Sequence, residues 1–272
     1  MSQPTFKHFE TTLLPSGVYE FAFNRPQIYN ALSPEVYKEW LDAILWAATD
    51  DRVKVFVLTG RGKFYCSGQE IKRPDFSESG DKADRQKRAV TKALVTALID
   101  FPKLLIAAVN GPAYGFAVTS LALCDVVYAT PDATFTTPFM KLGFCAEACS
   151  SYTFPRIMGN SKANEMLLMG RTMGVEEMIG CGFVSRTITK DKLRERVLQL
   201  AEEASKFSLT ALKVTKDLVR QNERPLLHRV NEDEMAKLHI RVRTPESIAS
   251  LNSFVDASEK RRSERKAIKN KL

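Results

Sequence analysis

Glu147 is the one carboxylate between Asp132 and Glu165, and its neighbours Phe144, Cys145, Ala146, Ala148 and Cys149 are apolar. Apolar surroundings disfavour an ionised carboxylate, which raises its pKa toward a value suited to proton transfer near neutral pH. By composition alone the same residue also fits a surface glutamate at a helix start, stabilised by the helix dipole. Two further segments carry their chemistry in the main chain. Lys63 to Ile71 places Gly68 soon after an apolar run, where a strand-to-helix turn frees backbone N–H groups and lets a ligand approach closely. A plain turn glycine fits that position too. Val109 to Ala117, with Gly111 and Gly115, lies after another apolar run and before small residues. A helix N-terminus there offers unsatisfied N–H groups and the positive end of a dipole. Two such termini at the ends of neighbouring parallel strands could aim two amide donors at one oxygen. An enolate oxygen carries more negative charge than its parent carbonyl, so donors aimed at it act selectively on the transition state.

The elements that must hold these segments alternate between strand and helix. Residues 18–24 alternate apolar and polar and read as a strand ending at Arg25-Pro26. Ser33-Pro34 marks a helix start, with Val36, Trp40, Leu41, Ile44 and Leu45 on one face. Residues 53–59 and 104–109 are continuous apolar runs, typical of strands buried on both faces, and residues 126–129 begin another. A helix is expected over roughly residues 85–101, stopped by Pro102, and a buried small-residue helix over residues 116–123. This order argues for an α/β layout with mostly parallel strands. After about residue 160 strand signals fade, and helical spacing takes over at 163–169, 192–207, 209–222 and 226–237. Residues 1–200 therefore read as an α/β core and residues 201–272 as a helical C-terminal region with a basic tail.

The 272 residues carry a formal charge of +8, with seven basic residues between Lys260 and Lys271 and a second basic stretch from Lys82 to Lys92. A basic balance suits nucleic acid, anionic lipid or a phosphorylated ligand. No aromatic-plus-glycine RNA motif or zinc-finger spacing supports nucleic acid, so solvated helix faces and a few phosphate contacts are expected. The five cysteines sit in apolar stretches, as free thiols do in a reducing compartment. Cys145 and Cys149 have no second pair at ligand spacing and only His8, His228 and His239 to help, which argues against a metal site. The first ten residues lack the apolar core of a secretory signal. No apolar run reaches the roughly 18 residues of a membrane span. Asn270-Lys271-Leu272 differs at one position from the Ser-Lys-Leu peroxisomal address, although a basic helix ending in leucine fits as well. The expected location is the peroxisome, with an import receptor as partner, and otherwise the cytoplasm.

In order and spacing, the segments closely resemble the crotonase (enoyl-CoA hydratase/isomerase) superfamily. The resemblance begins at Asn24-Arg25-Pro26 with Asn30-Ala31-Leu32 and passes through Phe64 to Ile71 and Asn110-Gly111-Pro112. It continues through Cys124 to Ala129 and Gly182-Phe183-Val184. Pro138-Phe139, Leu142-Gly143, Glu147 and Cys149 to Pro155 look most like the peroxisomal Δ3,Δ2-enoyl-CoA isomerases. The resemblance implies a spiral of ββα turns, a helical C-terminal region that forms trimers or hexamers, and no cofactor beyond the CoA that is part of the substrate. It also implies oxyanion-hole amides at Gln69 and Phe116, an acid/base at Glu147, and an acyl-thioester path along Ser67, Gly68, Gln69, Glu70 and Ile71. Arg25, Lys63 and Lys72 are candidates for the CoA phosphates. Hydratases of the superfamily use two glutamates, and the matching positions here are Thr119 and Phe139. Their absence leaves one proton carrier, enough for an isomerase. Three departures stand out: Glu70 replaces the common Asp, Gln69 the common Ala, and Ala148 the Gly usual after the base. Two other readings are a hydratase or isomerase of secondary metabolism and a non-catalytic acyl-CoA-binding member.

Overall fold

The computed structural model describes residues 3–269. The chain opens with an antiparallel pair, β1 (Phe9–Leu13) and β2 (Val18–Phe23). The Ser33 hydroxyl accepts from the Val36 N–H and caps α1 (Pro34–Thr49), whose first residue is proline, as the sequence indicates. After β3 (Val55–Gly60), α2 (Glu78–Asp100) begins earlier than the apolar spacing from residue 85 suggested. Its first turns are polar, so hydrophobic periodicity misses them. The Ser77 cap with Glu78 and Asp81 in the first turn is the local signal that marks the true start.

β4 (Leu104–Val109), β5 (Ala113–Tyr114) and α3 (Phe116–Thr119) follow, the last running on as a 3-10 turn over Ser120–Leu123. Next come β6 (Val126–Ala129), β7 (Thr134–Thr136), α4 (Ser150–Met158) and α5 (Asn160–Leu167). The remaining elements are β8 (Met173–Gly174), α6 (Val175–Gly180), β9 (Arg186–Thr187), α7 (Leu193–Ser205), α8 (Leu209–Arg220), α9 (Arg224–Arg241) and α10 (Pro245–Lys269). Strands thus continue past residue 160, but β8 and β9 are two residues each and too short to leave a periodic signal.

A six-stranded sheet runs β1-β2-β3-β4-β6-β9, parallel apart from β1, beside a three-stranded sheet β5-β7-β8. Along the chain, β4-β5-α3 and β6-β7-α4 are successive ββα turns. Each sends its first strand to the large sheet and its second to the small one. β2 and β3 are buried throughout because helices cover both sheet faces. Alternate residues Tyr19, Phe21 and Phe56 meet Trp46 of α1 and Leu94 and Leu98 of α2 in one core cluster. Val18, Val55, Val57 and Ile106 face Leu193, Val197 and Ala201 of α7 in another. Glu20 is the charged exception in β2. Its carboxylate accepts from both Nε and a terminal nitrogen of Arg194 at 2.8 and 2.7 Å, and from Arg61 at 3.1 Å. A buried carboxylate is tolerable only with such pairing.

Candidate active site

The three segments lie side by side. Cys66 pairs in parallel with Ala113, and β5 pairs in parallel with β7 through Ala113–Phe135 and Tyr114–Thr136. The Tyr114 N–H donates to the Cys66 carbonyl at 3.0 Å, and the Gly115 N–H donates to the Thr136 carbonyl at 2.8 Å. Such close main-chain approach requires glycine. A Cβ on Gly68, at φ +78°, would stand 2.8 Å from the Tyr114 carbonyl oxygen, and one on Gly111 would stand 2.2 Å from that of Lys63. Two asparagines anchor the loop before Gly68. The Asn30 amide donates to the carbonyls of Arg61, Phe64 and Tyr65 at 2.9, 2.9 and 3.1 Å, and Asn110 donates to that of Gly62 at 3.0 Å.

This arrangement frees two backbone N–H groups. Leu32 donates to the Gly68 carbonyl at 2.8 Å and accepts from the Glu70 N–H at 3.0 Å, so strand-like alternation turns the Gln69 N–H to the opposite side. Phe116 is the first residue of α3, where an N–H has no partner within the helix. Among the described residues, neither the Gln69 nor the Phe116 N–H finds a backbone acceptor. The origin of the first donor differs from the expected strand-to-helix turn. The chain after Gly68 forms no helix until Glu78, so turn geometry, without a helix dipole, exposes the Gln69 N–H. Ser67 is tied to the Tyr29 carbonyl at 2.9 Å through its N–H, and Glu70 pairs with Arg25 at 2.8 Å. Ile71 is half-buried beside them. Of the basic candidates for CoA phosphates, Arg25 is thereby engaged, Lys72 is exposed but reaches the same Glu70 carboxylate at 3.9 Å, and Lys63 is exposed.

Glu147 sits three residues before α4, in a turn where Ala148 and Cys149 adopt left-handed φ of +52° and +63°. Such conformations strain any residue with a Cβ. What holds the turn is Glu234 of α9, whose carboxylate accepts from the N–H groups of Cys149 and Ser151 at 2.6 and 2.9 Å. Glu234 therefore caps α4, and the alternative of Glu147 as a helix-start carboxylate does not describe this turn. The Glu147 side chain takes no hydrogen bond or ion pair among the described residues. The residue is half-buried, with protein surrounding its carboxyl. Burial pushes its pKa from 4.5 up to about 7, against the pull of Lys87 and with a push from Glu234.

Three residues around Glu147 were not among the sequence candidates. Lys87 lies on the buried stripe of α2 with Thr91, Leu94 and Leu98, and burial lowers its own pKa. Glu234 occupies the matching stripe of α9 with Leu227 and Asn231. Both are charges at core positions of a helical pattern, a signal that could have found them. Tyr37 packs its ring edge-on against Phe116, with centroids 5.0 Å apart, and reads in sequence as an ordinary core aromatic. Among the described residues no group of three or more His, Cys, Asp or Glu is placed to hold a metal ion. No helix among them is long and apolar enough to cross a membrane.

The family is decided by the match of residues 14–264 to the Enoyl-CoA hydratase/isomerase family. The chain belongs to that family. Within this enoyl-CoA hydratase/isomerase family, the chain is 40% identical over 240 residues to rat enoyl-CoA delta isomerase 2, covering 88% of this chain and 61% of the relative. It is 38% identical to mouse peroxisomal enoyl-CoA delta isomerase 3, covering 88% of this chain and 75% of the relative. The chain thus spans under two thirds of the rat protein's length. A solved enoyl-CoA hydratase/isomerase from Pseudoalteromonas atlantica superposes with a TM-score of 0.83 at 26% identity, over 92% of this chain and 98% of that one. The crotonase-type α/β spiral with C-terminal helices expected from the sequence is the fold observed.

The raised pKa of Glu147 has a cost in stability. The folded state holds this proton more tightly than the unfolded chain, so the fold loses stability as pH rises from about 4.5 to about 7. Glu147→Gln removes the buried charge. At pH 8 the variant should resist urea more than wild type, by on the order of 2–3 kcal/mol, with little gain at pH 5. Equal urea midpoints at pH 8 would contradict the buried-carboxylate account.

Proposed function

We propose that the protein is a Δ3,Δ2-enoyl-CoA isomerase that moves the double bond of a 3-enoyl-CoA to the 2-trans position in fatty-acid β-oxidation. The carrying observation is a single unpartnered carboxylate, poised near neutral pH, in a site with two free backbone amides. In this reading the Glu147 carboxylate takes a proton from C2 of the acyl group. The electron pair of that bond moves onto the thioester oxygen, and the N–H groups of Gln69 and Phe116 hold the resulting dienolate. Glu147 then returns its proton at C4, and the double bond settles between C2 and C3. Nothing is consumed and no second acid is needed. The two positions that would carry a hydratase's glutamates support this reading. Thr119 is fully buried with its hydroxyl donating to the Phe116 carbonyl at 3.3 Å, and Phe139 is buried and cannot move a proton. The isomerase names of the rat and mouse relatives agree with it. Ala148 in place of glycine puts a methyl beside the base and bears on which acyl groups enter.

The purified protein should convert 3-hexenoyl-CoA to 2-trans-hexenoyl-CoA without accumulating 3-hydroxy product, and Glu147→Gln should lower the rate at least about 10²-fold. A variant rate near wild type, or 3-hydroxy product as the main species, would overturn the assignment.

The same reading extends to assembly and location. α8 buries none of its residues and leaves Val214, Leu218 and Val219 exposed at 55%, 60% and 69%. An apolar face of this kind on a helix suits coverage by another copy of the chain, in a trimer or hexamer. Light scattering should give at least three chains for wild type and fewer for Leu218→Glu; a monomeric wild type refutes the proposal. A peroxisomal setting is supported by the mouse relative and by Asn270-Lys271-Leu272, which lie outside the described residues. A fluorescent reporter ending in the last twelve residues, from Arg261 to Leu272, should collect in peroxisomes, and a diffuse signal would argue for the cytoplasm.

A further inference from the structure

Tyr37 is among the largest fully buried side chains, with 1% of its surface exposed, yet its hydroxyl has no hydrogen-bond partner. Buried hydroxyls are ordinarily paired, and an orphan one calls for a reason. Its surroundings supply one. The ring stands edge-on to Phe116, whose N–H is one of the two free donors. The Ser33 cap and Pro34 set the start of α1 and so fix the position of Tyr37 in its first turn. The phenol feels the charge of Glu147 and lies near the Cys66 thiol, just before Gly68. Glu147, for its part, has a carboxylate without a hydrogen bond. An orphan donor and an orphan acceptor thus stand in one electrostatic neighbourhood beside the oxygen-binding loops.

We infer that Tyr37 is a positioning residue: the Glu147 carboxylate turns onto the Tyr37 hydroxyl and accepts its hydrogen bond, which aims the base toward C2 of an acyl group whose thioester oxygen is held at Phe116. This inference rests on the isomerase reading for its consequence in turnover, but the hydrogen bond itself does not. The other groups that face Glu147 are Lys87 from α2, Glu234 from α9 and Cys145 from its own segment. Cys145 and Cys66 stay neutral thiols, since burial pushes them to about 11 and about 12. The charges acting on Glu147 are therefore Lys87, which favours the carboxylate, and Glu234, which opposes it. The Tyr37 hydroxyl adds a neutral donor, which favours the carboxylate without a counter-charge.

The test compares Tyr37→Phe with Tyr65→Phe. The Tyr65 hydroxyl is also buried and unpartnered, but its phenol is coupled to Cys66 and Cys124 and not to Glu147. Both variants keep the ring and should fold. Tyr65→Phe removes an orphan hydroxyl and should melt no lower than wild type, whereas Tyr37→Phe also removes the donor to Glu147 and should melt slightly lower above about pH 7. Tyr37→Phe should lower kcat about tenfold with KM little changed. It should also move the acid limb of the rate profile up by about half to one pH unit. Carbon-13 NMR of glutamate carboxyls, with Glu147→Gln for assignment, should show the same upward move in the Glu147 titration. Tyr65→Phe should leave both readouts unchanged. If Tyr37→Phe leaves either the rate or the Glu147 titration at its wild-type value, the inference is overturned. If wild type fails to move the double bond while the titration still shifts, the isomerase reading falls and the Tyr37–Glu147 hydrogen bond stands.

Discussion

The site depends on main-chain pairing between short, distant segments. Cys66 lies against Ala113, and Ala113 against Phe135. Each pairing is made possible by a glycine or an asparagine that removes a steric obstacle or answers a carbonyl. Gly68 and Gly111 let backbones approach closer than any Cβ allows. Asn30 and Asn110 satisfy the carbonyls that the bent loop exposes. The two free N–H groups are a by-product of that geometry. One is turned outward by strand alternation at Gln69, and the other begins a helix at Phe116. Because both belong to the backbone, their positions follow from the pairing and not from the side chains at Gln69 and Phe116.

A second constraint acts on the base. Burial disfavours the Glu147 carboxylate, Lys87 restores part of what burial removes, and Glu234 works against it. The outcome is a carboxyl whose pKa is raised to about 7. Glu234 has two effects at once: it holds the strained Ala148–Cys149 turn by accepting two N–H groups, and its charge helps keep Glu147 protonated. The strain and the raised pKa therefore share one partner, so structure and proton affinity at this corner are coupled.

Family and reaction are separate questions here. The match of residues 14–264 gives the family, and paired loops with two free amides suit any reaction that passes through a thioester enolate. Which reaction follows depends on how many proton carriers surround the enolate. In this chain Thr119 and Phe139 are buried and occupied with packing, and Glu147 remains. In the proposed isomerase reading, these side chains narrow the chemistry and the loops set its class.

By itself, the sequence determined the longer strands and the turns that follow them. The apolar runs at β3 and β4, the cap at Ser33-Pro34 and the glycines after each strand are local signals, and local physics suffices to read them. Glu147 stood out because no other carboxylate lies near it in the chain. The shortest strands were illegible, since β5, β7, β8 and β9 span two or three residues and owe their form to partners far away. Only the tertiary structure decided what surrounds the base. Tyr37, Lys87 and Glu234 come from α1, α2 and α9. Helical periodicity says that each faces inward but not what it faces. The pKa of Glu147 and the use of the Tyr37 hydroxyl are set by those through-space distances, which chain order does not contain.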